Sequence, residues 1–129
     1  MMLHRTVFLL LALGATVAAP AARAAEIVLE NARCKDVKPE DLAAVQAKLR
    51  AAKAIGATDT IVCKAIVDST VVERNFRVID ILQWIGGSAC REVNSRNRSA
   101  CAEKADATEQ AQCEAEERAR YAGAQSACN

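Results

Sequence analysis

Six cysteines have the widest range of possible chemistry in this chain, because a thiolate can act as a nucleophile, exchange disulfides or bind a metal. Thiol oxidoreductases carry two cysteines separated by two residues, and zinc and iron–sulfur sites also use close pairs. Here the closest pair, Cys90 and Cys101, has ten residues between its members. This spacing favours structural disulfides over redox or metal chemistry. The cysteines are Cys34, Cys63, Cys90, Cys101, Cys113 and Cys128.

Helical geometry predicts how the last four cysteines pair. On an α-helix, Cys90 and Cys101 would differ by only ~20° in direction, and Cys113 and Cys128 by ~60°. Between these pairs, Asp106 has the features of an N-cap that begins a new helix. We therefore expect an antiparallel helical hairpin that is cross-linked by disulfides near both ends. The predicted bonds are Cys101–Cys113, Cys90–Cys128 and, by elimination, Cys34–Cys63.

Catalytic groups of the usual kinds are scarce. The only histidine, His4, lies in an N-terminal segment that we expect to be removed, so the mature chain lacks an imidazole for a general base or a metal site. The acidic residues near the predicted core, Asp68, Glu73 and Asp80, show no spacing that singles out a catalytic pair. We therefore predict that the protein is not an enzyme and holds neither a cofactor nor a metal.

Residues 1–25 have the features of a cleaved secretory signal peptide. The basic start "MMLHR" precedes 14 apolar or small residues, "TVFLLLALGATVAA", and small residues at Ala22 and Ala24 suit cleavage. This run is shorter than the roughly 20 apolar residues of a membrane span. We expect residues 26–129 to form one disulfide-stabilised domain in a bacterial periplasm or outside the cell, because disulfides persist in oxidising compartments.

Charge and aromatic content indicate which partners to expect. Without the two arginines of residues 1–25, the 17 basic and 16 acidic groups become 15 and 16. Because the net charge is near zero and the two signs are interleaved, the sequence does not indicate a basic surface for nucleic acid or anionic lipid. The few remaining aromatics, Phe76, Trp84 and Tyr121, are poor material for a stacking surface. The predicted partner is another envelope or secreted protein, and the sequence leaves the oligomeric state open.

Apolar periodicity predicts a mainly α fold of about four helices. One helix begins near Pro39, which suits the first helical position, and ends at Gly56. A second begins at Thr70 and is stopped by Gly86–Gly87. The two helices of the hairpin follow and complete the fold.

Two shorter stretches are less clearly helical. Residues 27–29 are predicted to form a short strand or an extended arm. Residues 59–68 fit a strand by their β-branched side chains and a helix by their periodicity. The helix is slightly favoured, because no partner strand with a glycine turn is visible.

Two places could bind a partner. The stretch "ILQWI" is either buried, as its nearly all-round apolar helix suggests, or partly exposed as a patch. In the last helix, alanines either pack against the rest of the fold or dock on a helix of another protein, and the acid-first pairs Glu114–Arg118 and Glu116–Arg120 lie beside them. The candidate partner-binding residues are Phe76, Ile81, Trp84, Ile85, Ala115, Ala119 and Ala122.

These observations favour a small exported protein that binds another protein. An inhibitor, an immunity-type protector, a chaperone-like factor and an accessory factor of envelope assembly are all members of this class. The alternative is a carrier of a small apolar ligand, with a pocket between stapled helices around Phe76, Ile79 and Trp84.

Overall fold

The computed structural model describes residues 25–67 and 77–129. This part of the chain is mainly helical, with three α-helices, one two-stranded sheet and three disulfides. Thr70, Glu73, Asp68 and Phe76, and with them the predicted start of the second helix, lie outside the described residues. In chain order the elements are β1 (Glu26–Glu30), a short 3₁₀ helix (Ala32–Asp36), α1 (Pro39–Ala51), β2 (Thr60–Lys64), α2 (Val78–Ala102) and α3 (Ala107–Cys128).

The two strands form a parallel ladder, in which Ile27 lies opposite Ile61 and Val28 opposite Val62. Alternation turns Ile27 and Ile61 into the core and leaves Val28 and Val62 exposed on the other face. The slight preference for a helix over residues 59–68 was therefore wrong. A parallel pair needs no hairpin turn, because its connection runs through a helix, here α1.

Helix α1 begins as predicted and ends earlier than predicted. Pro39 is at its first turn with Glu40 and Asp41, which complement the positive end of the helix dipole. Its last residue is Ala51 rather than a residue next to Gly56. Lys53, with a φ of 59°, takes the left-handed conformation that terminates helices and turns the chain towards β2.

Helix α2 is a single element of 25 residues, where two separate helices were predicted. Gly86 and Gly87 do not stop it, because they lie inside the helix at its contact with the end of α3. A Cβ atom at Gly86 would lie 3.3 Å from the backbone oxygen of Cys128. The glycines therefore allow a close approach of two backbones, and this is why the described residues contain three helices instead of four.

Helix α3 begins at the predicted turn. The Asp106 side chain accepts a hydrogen bond of 2.9 Å from the backbone N–H of Thr108, as an N-cap should. The helix then runs beside α2 to Cys128. We call α2 and α3 together the helix pair.

Three disulfides link the described residues, and all three were predicted, two from helical spacing and Cys34–Cys63 by elimination. All six cysteines are paired, so the described part of the chain has no free thiol. One bond ties the 3₁₀ helix to β2. The other two join α2 to α3, one beside the turn between the helices and the other from the middle of α2 to the last residue of α3. Their Cα–Cα separations are 5.4 Å for Cys34–Cys63, 6.1 Å for Cys90–Cys128 and 5.5 Å for Cys101–Cys113.

One cluster of buried side chains connects the sheet, α1 and the helix pair. Ile27 and Ile61 come from the sheet, Leu49 from α1, Ile85 from α2 and Ala124 from α3. Because the sheet packs on the same cluster as the helix pair, it holds the pair in a defined orientation. In the described part of the chain, we find no helix that is both long and apolar enough to span a bilayer.

Candidate functional site

The predicted patch on α2 is divided between the core and the surface. Ile81 is 5% exposed and Ile85 fully buried, so neither can contribute to a binding surface. Trp84 is partly buried against the core. Ile79, one of the residues proposed to line an apolar pocket, is 49% exposed instead. The stretch "ILQWI" is therefore chiefly structural.

Three candidate alanines of α3 lie on the solvent-exposed surface of the helix, whereas Ala124 of the same helix is buried in the core. Ala115, Ala119 and Ala122 are exposed, so they do not pack against the described part of the fold, and their docking on another protein stays a prediction. The reason is covalent. Cys113 and Cys128 must face α2 to form their bonds, and this fixes the rotation of α3 about its axis.

The helix pair carries an open groove along one side. It has a volume of about 1210 Å³, and it runs beside the contact between α2 and α3. Most of its lining residues are polar or charged, and Tyr121, which also packs on the core, is among them. The principal lining residues are Arg91, Asn94, Arg98, Glu114, Arg118 and Tyr121.

The arginines of the groove have a defined arrangement. On the opposite side of the pair, Asn97 donates a hydrogen bond of 2.9 Å to Glu117, which shows that these two residues lie at the same level. Arg98 and Arg118 each follow one of them in sequence, so they stand at nearly the same level across the groove. Arg91 precedes Arg98 by two helical turns, about 10 Å along α2.

The groove arginines have few partners among the described residues. Arg91 donates to the hydroxyl of Ser88 at 3.2 Å. The ion pairs formed within the described ranges do not include Arg91, Arg98 or Arg118, and the predicted Glu114–Arg118 pair is not one of them. These ion pairs are Arg77–Asp80, Arg96–Glu92 and Arg120–Glu117.

The other side of the helix pair holds a buried charge network. Glu117 is 7% exposed and accepts hydrogen bonds from Asn97 and from two nitrogens of Arg120. Arg120 therefore pairs with Glu117 and not with the predicted Glu116. Its guanidinium also donates to the backbone oxygens of Lys53 and Ala54, at 2.7 and 3.2 Å. The network ties α3 to the turn that follows α1.

The pKa of Glu117 reflects this environment. Burial alone would raise it, but the hydrogen bonds from Arg120 and Asn97 and the positive charge of Arg120 lower it below the ordinary value. The hydrogen bonds to Glu117 and its negative charge raise the pKa of Arg120, although burial acts in the opposite direction. Both groups are therefore charged at neutral pH and satisfied by each other, which indicates a structural role rather than one in proton transfer.

Sequence reasoning had not identified the groove. Its signal was present in the seven-residue spacing of Arg91 and Arg98, which puts two cations on one helix face. Adding Arg118 requires the register between the helices, which only the disulfides supply. Within the described residues, no group of three histidine, cysteine or acidic side chains is placed to hold a metal ion.

Comparison with protein-family models, with curated proteins and with solved structures found no match to this chain. The functional assignment therefore depends on the geometry of the helix pair and on its chemistry.

Proposed function

We propose that this chain is a small exported binding protein whose C-terminal helical hairpin docks on another envelope or secreted protein. Inhibition, protection, a chaperone-like action and assistance in envelope assembly are all forms of this function. The observation that carries the proposal is the open groove, which is lined by charged side chains and framed by two helices that are joined by two disulfides.

Cross-linking favours binding because it reduces the ordering that association requires. A flexible surface loses conformational entropy when a partner fixes it, and a surface that is already fixed loses less. The bonds Cys90–Cys128 and Cys101–Cys113 prevent one helix from sliding along the other. The Glu117–Arg120 network holds the pair against α1. The groove is thus a preorganised surface.

The same bonds support an oxidising compartment as the location of the protein. Three disulfides in a chain of this size persist where thiols are oxidised, and residues 1–25 have the composition of a signal peptide. We place the mature protein in the bacterial periplasm or outside the cell, with its partner in the same compartment.

The carrier of an apolar ligand has less support. Ile81 and Ile85 fill the core, and Ile79 faces water. The groove presents guanidinium groups, which an apolar ligand would have to desolvate without compensation.

Site-specific photo-crosslinking in the native host tests the proposal. A photoreactive residue is placed at Ser95 or Gln125, which both line the groove, and at the exposed Ala44 of α1 as a control. We expect Ser95 and Gln125 to give one discrete adduct each with the same envelope protein, and Ala44 to give none.

The opposite pattern would contradict the proposal. If the groove positions give no adduct, or the same diffuse products as Ala44, the helix pair is not the binding surface. An adduct of lipid mass at the groove would favour a carrier instead.

A further inference from the structure

The geometry of the groove points to the chemistry of the partner, an inference that rests on the proposed function. We propose that the groove takes an acidic segment of a partner protein. One carboxylate is held between Arg98 and Arg118, and a second, about 10 Å away along α2, is held by Arg91.

The charge of the groove carries the first part of this proposal. Among the described residues, its lining contains three arginines and one acid, Glu114. Among the described residues, Arg98 and Arg118 have no carboxylate partner, although both lie on the same groove. Guanidinium groups form parallel N–H···O bonds with carboxylates. Two of them facing each other across a groove can hold one carboxylate from both sides.

The register of the helices carries the second part. Seven residues separate Arg91 from Arg98, so their Cα atoms are two turns apart on one face of α2. An extended segment rises about 3.3 Å per residue, and acids three positions apart on such a segment are therefore separated by about 10 Å. Because the two disulfides fix the helix pair, this spacing between the cation sites is fixed as well.

Protein carboxylates fit this groove better than the phosphates of a nucleic acid. Glu114 also lines the groove, one helical turn before Arg118, and would repel a continuous row of phosphates. Tyr121 is the single aromatic residue that the described part of the chain contributes to the lining, whereas surfaces for nucleic acid strands offer successive rings on which bases stack. Glu114 can also accept a hydrogen bond from a basic or amide group next to the acidic segment, and this gives the groove a preferred direction of binding.

Fluorescence anisotropy with two labelled peptides of equal composition tests the proposal. One peptide carries two glutamates three positions apart on a Thr/Ser background, and the other carries them next to each other. The proteins are the wild type, R98Q/R118Q, and the matched control K35Q/K48Q, which removes the same charge from exposed sites elsewhere. The replaced arginines are exposed, and circular dichroism checks that each variant is folded.

We expect the peptide with spaced glutamates to bind the wild type more tightly, with an affinity that falls as salt rises. R98Q/R118Q should weaken that binding at least about 10-fold, which corresponds to two lost charge-assisted contacts. K35Q/K48Q should leave it within about 2-fold. R98K/R118K, which keeps the charge and loses the paired N–H geometry, should give an intermediate affinity.

Three outcomes would overturn the inference. The first is equal weakening by R98Q/R118Q and K35Q/K48Q, the second is no preference between the peptides, and the third is tighter binding of a single-stranded oligonucleotide than of either peptide. The proposed function is judged separately by the photo-crosslinking. If the envelope adduct persists in R98Q/R118Q, the proposed function stands and only the proposal of an acidic partner segment is rejected.

Discussion

Glu117 holds a negative charge where only 7% of its surface reaches solvent. A buried carboxylate is tolerated when its oxygens are hydrogen-bonded and a counter-charge is close, and here Asn97 and Arg120 supply both. Because Arg120 also binds the carbonyl groups of Lys53 and Ala54, the pair joins the helix pair to the turn after α1. The pair therefore fixes the position of α3 relative to this turn.

The variant E117Q should destabilise the fold at neutral pH by about 1–3 kcal/mol, because it removes the charge from a hydrogen-bonded buried pair. Its effect should depend on pH. The pKa of Glu117 is lowered in the folded state, so its stabilisation is complete above the unfolded pKa of about 4.3 and is lost as the pH falls through the folded value. Urea denaturation at pH 7 and at pH 3 measures both quantities.

The matched control is E116Q, the same chemical change at the exposed neighbouring acid. It should change stability by less than about 0.5 kcal/mol at either pH. A difference between wild type and E117Q that stays the same from pH 7 to pH 3 would show that the charge of Glu117 does not stabilise the fold. The sequence could not identify this residue, because Glu114, Glu116 and Glu117 are chemically equal until the disulfides set the rotation of α3.

At the level of single elements, the sequence was informative wherever local signals were sufficient. Pro39 and Asp106 marked helix starts, and both helices begin at these residues or next to them. The strand at residues 60–64 was not predicted because its partner is far away in the sequence. Glu26 pairs with Thr60, which lies 34 positions later. A pairing at that distance leaves no turn signature. Gly86–Gly87 were misjudged for a related reason, since their role is in a contact with Cys128.

The glycines of the helix pair give a prediction about this contact. Gly123 lies inside α3, and a Cβ there would meet nothing within 4 Å, so G123A should raise the free energy of unfolding by about 0.5–1 kcal/mol through helix propensity. G86A gains the same propensity but brings its Cβ to 3.3 Å from the Cys128 oxygen. It should therefore stabilise less than G123A does, or destabilise.

Thermal and urea unfolding of the two variants makes the comparison. Equal gains from G86A and G123A would show that α2 and the end of α3 do not approach each other as closely as described. A loss of stability in G123A would mean that the outer face of α3 is covered in solution, and it would move the binding surface from the groove to that face.

On the scale of the whole molecule, disulfides supplement a small core. Among the described residues, the fully buried side chains include few large ones, such as Ile27, Leu49 and Ile85, and the aromatic residues Trp84 and Tyr121 are only partly buried against them. Much of the remaining surface of the helix pair is polar. Cross-links that restrict the unfolded chain are the usual way to stabilise such a domain. The pairing was predictable because it depends on helical periodicity alone, whereas the groove depends on side chains from two helices.

Removing the helix-pair disulfides one at a time tests this role. In the chain-entropy treatment, Cys101–Cys113 closes a loop with a separation of 12 residues and stabilises by about 3 kcal/mol, and Cys90–Cys128 closes one of 38 and stabilises by about 4 kcal/mol. C90A/C128A should therefore unfold at lower urea concentration than C101A/C113A. The buried position of Cys90 and Cys128 adds to the difference.

The contrary order, or a loss below about 1 kcal/mol in both variants, would mean that the packed core is sufficient without the bonds. Binding of the acidic peptide provides a second readout. Loss of either bond should weaken it even where the variant remains folded, since the cation sites on the two helices are then free to shift.

The fold as a whole depends on three disulfide bonds that hold the chain together. The most direct measurement is non-reducing peptide mapping of protein purified from the envelope fraction of its own host, with thiols alkylated at lysis. We predict three linked peptide pairs, joining Cys34 to Cys63, Cys90 to Cys128 and Cys101 to Cys113, and no alkylated cysteine. Alkylation of several cysteines in the freshly isolated protein, or a different pairing of Cys90 and Cys101, would contradict the account.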